Sequence, residues 1–376
     1  MSRKKILFVS GTRADFGKQK SLILACQESE DFFVTVFATG MHLNHKYGYT
    51  LEEISNSGIK NIFPFINHDN DSSMDLALAN TISGLSLFLS NNFHDLIVVH
   101  GDRCEALAGA IVGSLNNVLV AHIEGGEVSG TIDEHIRHAV SKLSHIHLVS
   151  NKEAVSRLLQ MGERHETIFE IGSPDIDIMF SDSLCSLNHV KDHYGVKFNK
   201  YGILMYHPVT TDLKNLATNI KIVVDSCIAS NKQFIVIYPN NDPGSDAIIK
   251  EYQRLIDNDN FAIYPSTRFE YFLVLLRNSE FIIGNSSAGV REAPYYGVQS
   301  INIGSRQNRR ASHHTILNTD HDCTNILNLL SNTSEFPPLI SPMFGSGDSS
   351  AKFLKLLQSE NFWNVSIQKQ FIDLVK

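Results

Sequence analysis

Apolar residues in this chain come in short, β-branched runs that alternate with segments of helical period. In the first half the runs are Lys5–Ser10, Phe32–Thr39, Ile59–Phe65, Leu96–His100, Val118–Ile123, Ile146–Val149 and Thr167–Ile171. Between them, Met74–Leu89, Glu105–Leu115 and Glu134–Leu143 are amphipathic. LIVVHG and VLVAHI carry almost no polar alternation, which marks strands covered on both faces. Strand–helix alternation of this kind predicts an α/β architecture, a parallel sheet with helices on both sides.

The pattern fades between about residues 173 and 200, where Ser, Asp, Asn and Lys dominate. It then restarts with Ile203–Tyr206, Phe234–Tyr238, Phe261–Tyr264, Phe281–Ile283 and Ser300–Ile303. At 376 residues the chain is long enough for two cores. The expected domains are 1–175 and 176–356, with an amphipathic tail, about 357–376, that is a candidate to pack back on the first.

Composition narrows the class. With 43% hydrophobic and 19% charged residues the chain is of globular type, and no apolar run reaches the roughly 20 residues of a membrane span. The opening MSRKKILFVSGTRADFG puts basic residues before an apolar stretch, as a signal peptide does. That stretch is only five residues, Ile6–Ser10, and ends in a polar turn, so it reads as a first strand and a cytoplasmic protein is expected. Five dispersed cysteines without a C-x-x-C pair read as reduced thiols. A net charge of −8 argues against non-specific nucleic-acid binding and means that any phosphate ligand needs a local cluster of donors. Seventeen histidines occur without H-E-x-x-H or Cys/His zinc spacing, so no metal is expected, and GTRADFGK lacks both G-x-G-x-x-G and the P-loop lysine spacing, so no dinucleotide or ATP cofactor is expected either.

In open α/β sheets ligands bind beyond the carboxyl ends of the strands, and polar residues cluster there in this sequence. After the first strand, GTRADFGK brings Gly11, Arg13, Gly17 and Lys18 into a turn that reads either as a phosphate cradle or as a plain connection. After the fourth, HGDRCEA crowds His100, Asp102, Arg103 and Glu105; Asp102 there is either a helix cap or a working acid. After the fifth come Glu124 and Glu127, then Thr131 to Glu134 with capping-box spacing, which accounts for Glu134. Asp133 lies in the same first turn, where Arg137 is spaced to pair with it. In the second half, HPVTT sets His207 at a strand end and YPNND sets Asn240. GNSSAGVREA places Ser286 and Ser287 where a helix is expected to start, with Glu292 on that helix. SRQNRR supplies Arg306, Arg309 and Arg310, either as phosphate ligands or as a solvated loop.

Together GTRADFGK, HGDR, HIEGGEVSGTIDEHIRHAVSKLSH, HPVTT, GNSSAGVREA and GSRQ resemble the hydrolysing UDP-N-acetylglucosamine 2-epimerases, on the side of that family that serves bacterial sialic acid biosynthesis. The resemblance runs from residue 5 to the terminal WNVSIQKQFIDL. It implies two Rossmann-like domains facing across a cleft, the glycosyltransferase-B type. It implies conversion of UDP-N-acetylglucosamine and water to N-acetylmannosamine and UDP, by elimination to a glycal and rehydration. It carries the catalytic roles onto Asp102, Glu124, Asp133 and His207, and contacts with the UDP substrate onto Arg13, Lys18, Arg103, Asn240, Ser286, Ser287, Glu292 and Arg306. It further implies a homo-oligomer, dimer or tetramer. TIDEH departs from the relatives' commoner turn but keeps Asp133. The rival readings are a non-hydrolysing 2-epimerase, a hydrolase of UDP-diacetylbacillosamine, a glycosyltransferase and a nucleotide-sugar sensor without turnover.

Overall fold

Near-continuous Val, Ile, Leu and Phe runs build two parallel sheets. The computed structural model describes residues 3–67, 73–129, 131–182, 184–338 and 343–373. It divides into two units. Unit 1 holds the chain up to Glu127, Asp133–Ser181 and the segment from Met343 on; unit 2 holds Val128–Ile132 and the segment from Asp182. The sequence placed these crossings at 175/176 and 356/357; the chain leaves unit 1 after Ser181 and is back from Met343.

Unit 1 contains β1 (Lys4–Ser10), β2 (Phe32–Ala38), β3 (Ile62–Pro64), β4 (Leu96–His100), β5 (Leu119–Ile123), β6 (Ile146–Val149) and β7 (Ile168–Glu170). They order as β3-β2-β1-β4-β5-β6-β7, every pair parallel. Every residue of β4 and β5 is buried, as their unbroken apolar runs require. The strand order reverses between β1 and β4, the position at which an open α/β sheet offers its binding crevice. His100 pairs with Ile123, so Asp102 and Glu124 leave the sheet from neighbouring strand ends. The returning chain joins this core: Phe353, on the helix Ser349–Leu357, meets Phe8 edge-on at 6.3 Å, and Leu357 and Phe362 are buried in the same cluster.

Unit 2 contains β8 (Gly202–Met205), β9 (Phe234–Ile237), β10 (Phe261–Tyr264), β11 (Phe281–Gly284), β12 (Gln299–Ile303) and β13 (Ile316–Thr319). Their order is β10-β9-β8-β11-β12-β13, again all parallel. Phe234 stacks on Phe261 and meets Phe281 edge-on at the centre of its core. β13 is absent from the sequence reading, because an edge strand spelled ILNT has too few apolar positions to register. At the far edge of unit 1, β3 is shorter than the expected 59–65 and ends at Pro64, which has no amide to give a ladder.

One expectation fails. No α-helix follows GNSS. The chain makes a single 3₁₀ turn over Ser287–Gly289 and another over Ala293–Tyr296. Gly289, Pro294 and Gly297, the last at φ +72°, interrupt any longer helix. Glu292 therefore sits between two short turns, and the helix macrodipole expected behind Ser286 is missing. Among the described residues no helix is long and apolar enough to cross a membrane.

Candidate active site

In unit 1 the chain comes off β5 at Glu124, which has φ +65°. A left-handed backbone costs a non-glycine residue about 1–2 kcal/mol, so this turn has to be held from outside. Arg137, on the helix Ile132–Leu143, does so by donating from Nη1 to the Glu124 carbonyl at 2.7 Å. The Glu124 side chain is 2% exposed. Its Oε1 accepts from Lys18 Nζ and from Ser173 Oγ, both at 3.2 Å, and His100 Nε2 lies 3.4 Å away. Arg137 Nη1 is 3.8 Å from Oε2. A carboxylate this deeply buried is tolerable only with such compensation. Lys18 also reaches Asp175 at 3.5 Å, so its ammonium sits between two carboxylates.

Asp102 is not a helix cap. The N-cap of the helix Cys104–Leu115 is Arg103, without a side-chain cap bond, and the Asp102 carboxylate bonds Arg137 Nη2 instead. Arg137 was spaced to pair with Asp133; its guanidinium ties Asp102 to the Glu124 turn. Asp133 is buried in the first turn of the same helix, and Glu134 lies 3.5 Å from His138 at its surface. Glu127 accepts from Ser150 Oγ at 2.8 Å.

The GTRADFGK turn differs from a phosphate cradle in one respect. Thr12 and Asp15 form a capping box at the start of the helix Arg13–Glu28. Asp15 accepts from the amides of Gly11 and Thr12, 2.9 Å each, and from Ser10 Oγ at 2.7 Å. The amides the pattern offered to an anion are thus met by the protein's own carboxylate. Burial raises the pKa of Asp15 in spite of these bonds. Ser10 Oγ also contacts His42 Nε2 at 2.9 Å, and burial with the nearby Arg13 charge depresses His42 to about 3, leaving it neutral. Arg13 pairs with Glu53 at 2.5 Å.

Unit 2 gathers its polar residues around Asn285. The Asn285 side chain accepts from the His207 amide at 2.7 Å and donates to the His207 carbonyl at 2.9 Å. The Asn285 carbonyl receives Gln307 Nε2 at 2.9 Å and Arg306 Nη1 at 3.4 Å. The ends of β8, β11 and β12 are thereby fixed to one another. His207 Nδ1 accepts from the Asn240 amide at 3.1 Å, so the neutral ring carries its proton on Nε2 and presents that N–H as a donor. Asn240 Nδ2 donates to Asp242 at 2.6 Å. Ser286 caps the short turn that begins with Ser287.

The structure therefore joins Asp102 and Glu124 through Arg137 in unit 1, with Lys18 bonded to Glu124, and joins His207 and Arg306 through Asn285 in unit 2, with Asn240 bonded to His207. Sequence reasoning missed Asn285, Ser173, Asp175 and the bonds of Arg137 to Asp102 and to the Glu124 carbonyl. Only Asn285 left a local sign, lying between a strand-end glycine and two serines. Among the described residues no group of three or more His, Cys, Asp or Glu is arranged to hold a metal ion.

The chain is similar to known proteins in sequence and in fold. The family model described as UDP-N-acetylglucosamine 2-epimerase matches residues 24–358. A UDP-N-acetylglucosamine 2-epimerase of Neisseria meningitidis is 44% identical over 99% of both chains. A UDP-N,N'-diacetylbacillosamine 2-epimerase (hydrolyzing) of Legionella pneumophila is 34% identical over 95% of this chain and 96% of its own. In three dimensions, a Neisseria meningitidis UDP-GlcNAc 2-epimerase solved with UDP-GlcNAc matches with a TM-score of 0.80 at 22% identity, over 94% of this chain and 99% of its own. The fold is that enzyme's, the glycosyltransferase-B type. With most of its length matched at the level of sequence, the chain belongs to the UDP-N-acetylglucosamine 2-epimerase family.

Proposed function

We propose that this chain is a hydrolysing UDP-N-acetylglucosamine 2-epimerase, converting UDP-N-acetylglucosamine and water to N-acetylmannosamine and UDP at the entry to sialic acid biosynthesis. The observation that carries the reading is the pair of carboxylates Asp102 and Glu124, tied through one buried arginine at adjacent strand ends. The Legionella relative named as hydrolysing supports the water-consuming outcome.

Elimination breaks the C-1–oxygen bond to UDP and removes the proton from C-2, leaving a glycal. A C-2 hydrogen is a weak acid, so departure of UDP runs ahead and the leaving diphosphate must be stabilised. We assign that role to Arg13, Lys18, Arg103, Ser286, Ser287 and Arg306, with the Nε2–H of His207 as a further donor; Asn240 contacts the UDP substrate as well, and Glu292 accepts from a ribose or sugar hydroxyl. Asn240 Oδ1 is buried without a hydrogen-bond partner among the described residues, which leaves it available to a donor on the ligand. In the second half-reaction water adds its oxygen at C-1 and C-2 takes a proton on the opposite face. Two faces call for two proton carriers. Glu124 or Asp133 takes the C-2 proton, and Asp102 positions or protonates. General acid–base help of this kind is worth about 10²–10⁴-fold per group.

Incubating the enzyme with UDP-N-acetylglucosamine in D₂O tests the reading. Free N-acetylmannosamine with deuterium at C-2, together with UDP, is expected. Intact UDP-N-acetylmannosamine would instead make the chain a non-hydrolysing epimerase. The identity to the Legionella protein favours one second reading, a UDP-diacetylbacillosamine substrate, and the same assay run with that nucleotide sugar decides between them.

A further inference from the structure

Residues 364–373 make neither helix nor strand, yet they are pinned to unit 1 at two points. Lys369 Nζ donates to the carbonyls of Ser141, Lys142 and Ser144 at 3.3, 3.0 and 2.6 Å, and to Glu163 Oε2 at 2.6 Å. Those carbonyls close the carboxyl end of the helix Ile132–Leu143, where a cation complements both the unmatched acceptors and the helix dipole. The second pin is His145. Its Nδ1 accepts from the Val120 amide at 3.0 Å, so its Nε2 carries the proton and donates to the Ile367 carbonyl at 2.9 Å. Between these pins a cavity of about 760 Å³, bordered by Glu163, Thr167, Phe169 and Phe362, separates part of the segment from the body. Val365 packs on the apolar core of unit 1, and these polar bonds hold the residues beyond it.

Glu163 makes the Lys369 pin strong. It is buried and also accepts from Lys142 at 2.7 Å and from His147 Nε2 at 2.9 Å. Burial alone would raise its pKa, but these bonds and charges outweigh burial and bring it to about 2. It stays ionised across the working range and keeps the Lys369 ammonium in place.

The helix that Lys369 closes carries Asp133 in its first turn and Arg137 in its second. A hydrogen-bond path also leads from the pinned turn to Asp102. Ser141 Oγ lies 3.1 Å from His122 Nδ1, and His122 Nε2 lies 2.8 Å from the carbonyl of Gly101, the residue before Asp102. Facing a carbonyl, Nε2 must donate. Nδ1 then accepts from the Ser141 hydroxyl, and burial depresses His122 to about 3, which keeps this neutral form. We propose that Lys369 is a positioning residue for the reaction, acting through Ser141 and the helix Ile132–Leu143 to set Arg137 and Asp102. This rests on the assignment of those acids under the proposed function.

The test compares Lys369→Met, Lys369→Arg and Ser141→Ala in the full chain with UDP-N-acetylglucosamine as substrate. A misplacement of reacting groups by about 1 Å costs up to roughly 100-fold. Lys369→Met is therefore expected to lose ~10- to 100-fold in kcat, with KM and calorimetric UDP affinity unchanged. Lys369→Arg should restore kcat to within about threefold, since its fork also reaches carbonyls and a carboxylate. Ser141→Ala should reproduce part of the loss. Wild-type kcat in Lys369→Met overturns the proposal. A loss that Arg does not rescue, or that comes with an equal loss of UDP affinity, marks a merely structural role and overturns it too. Glu124→Gln is measured alongside. If it keeps wild-type turnover, the acid assignment itself fails; if it is inactive while Lys369→Met is normal, only the positioning role fails.

Discussion

Arg137 is the hinge on which Asp102 and the Glu124 turn are fixed together: one end of its guanidinium bonds the Asp102 carboxylate and the other the Glu124 carbonyl. Its side chain is 1% exposed. Breaking a buried ion pair by removing one partner costs about 3–5 kcal/mol, because the other charge stays behind. Arg137→Met should therefore lower the thermal midpoint by several degrees and reduce turnover of UDP-N-acetylglucosamine by at least about 100-fold. Arg137→Lys keeps the charge but lacks the two-pronged reach, and should recover midpoint more than turnover. Equal recovery of both would mean that charge alone, not geometry, is what Arg137 supplies.

Glu124 is a buried acid with Lys18, Ser173 and His100 around one oxygen. Glu124→Gln is nearly isosteric and retains an oxygen for Lys18 and Ser173, so the fold should survive. The amide cannot accept a proton from C-2. Turnover should fall by about 10²–10⁴-fold, while UDP affinity by calorimetry stays within a few-fold of wild type. A variant with normal turnover removes Glu124 from the chemistry.

The fully buried histidines of unit 1 set the acid response of the fold. His42 and His122 are each depressed to about 3, mainly by burial. Unfolded, each would titrate near 6.5. Between pH 6.5 and 3 the unfolded chain thus binds protons that the folded chain refuses. Stability is full above pH 6.5 and is lost as pH falls, by up to about 1.4 kcal/mol per pH unit for each histidine. Glu163, at about 2, adds its own loss only as pH falls below its unfolded value near 4.5. Thermal midpoints measured from pH 7 to 4.5 therefore leave out Glu163, while Asp15, whose carboxyl burial raises, acts in the opposite sense. The wild type should fall steadily, and His42→Gln, whatever its midpoint at pH 7, should fall less steeply. Identical slopes would show that His42 is not shielded as its burial implies.

The fold was legible because buried parallel strands carry an unmistakable pattern, and what escaped was what the pattern lacks. β13, with Asn318 in an edge position, has no apolar run to find. The helix expected after Ser286 looked sound from its serines, but Gly289 and Pro294 held more weight than their hydroxyls. The strand-end rule put Asp102, Glu124 and His207 just beyond β4, β5 and β8, where the structure has them, since that rule follows from the chain alone. It could not find their partners. Ser173 and Asp175 are about fifty residues along the chain from Glu124, and spacing along one helix pointed Arg137 to Asp133 without showing that it also holds Asp102 at another strand end. Pairings across a sheet are set by topology, which a linear reading does not see.

Asn285 offers the corresponding test in unit 2. One side chain holds the backbone of His207 on both sides, and its carbonyl holds Gln307 and Arg306. Asn285→Ala would remove both bonds from the partly buried His207 backbone, at a cost of up to about 1–3 kcal/mol for each group left unsatisfied. The residues proposed to grip UDP would then have to be ordered by the ligand itself, which subtracts from affinity. UDP affinity is expected to weaken by roughly tenfold or more, and KM for UDP-N-acetylglucosamine to rise with it. kcat at saturation should change less, because the carboxylates belong to unit 1. Asn285→Asp keeps the acceptor for the His207 amide but not the donor to its carbonyl, and should fall between wild type and Ala. If calorimetry finds UDP bound as tightly by Asn285→Ala as by wild type, Asn285 orders nothing that the nucleotide uses, and His207 and Arg306 lose their claim to the diphosphate.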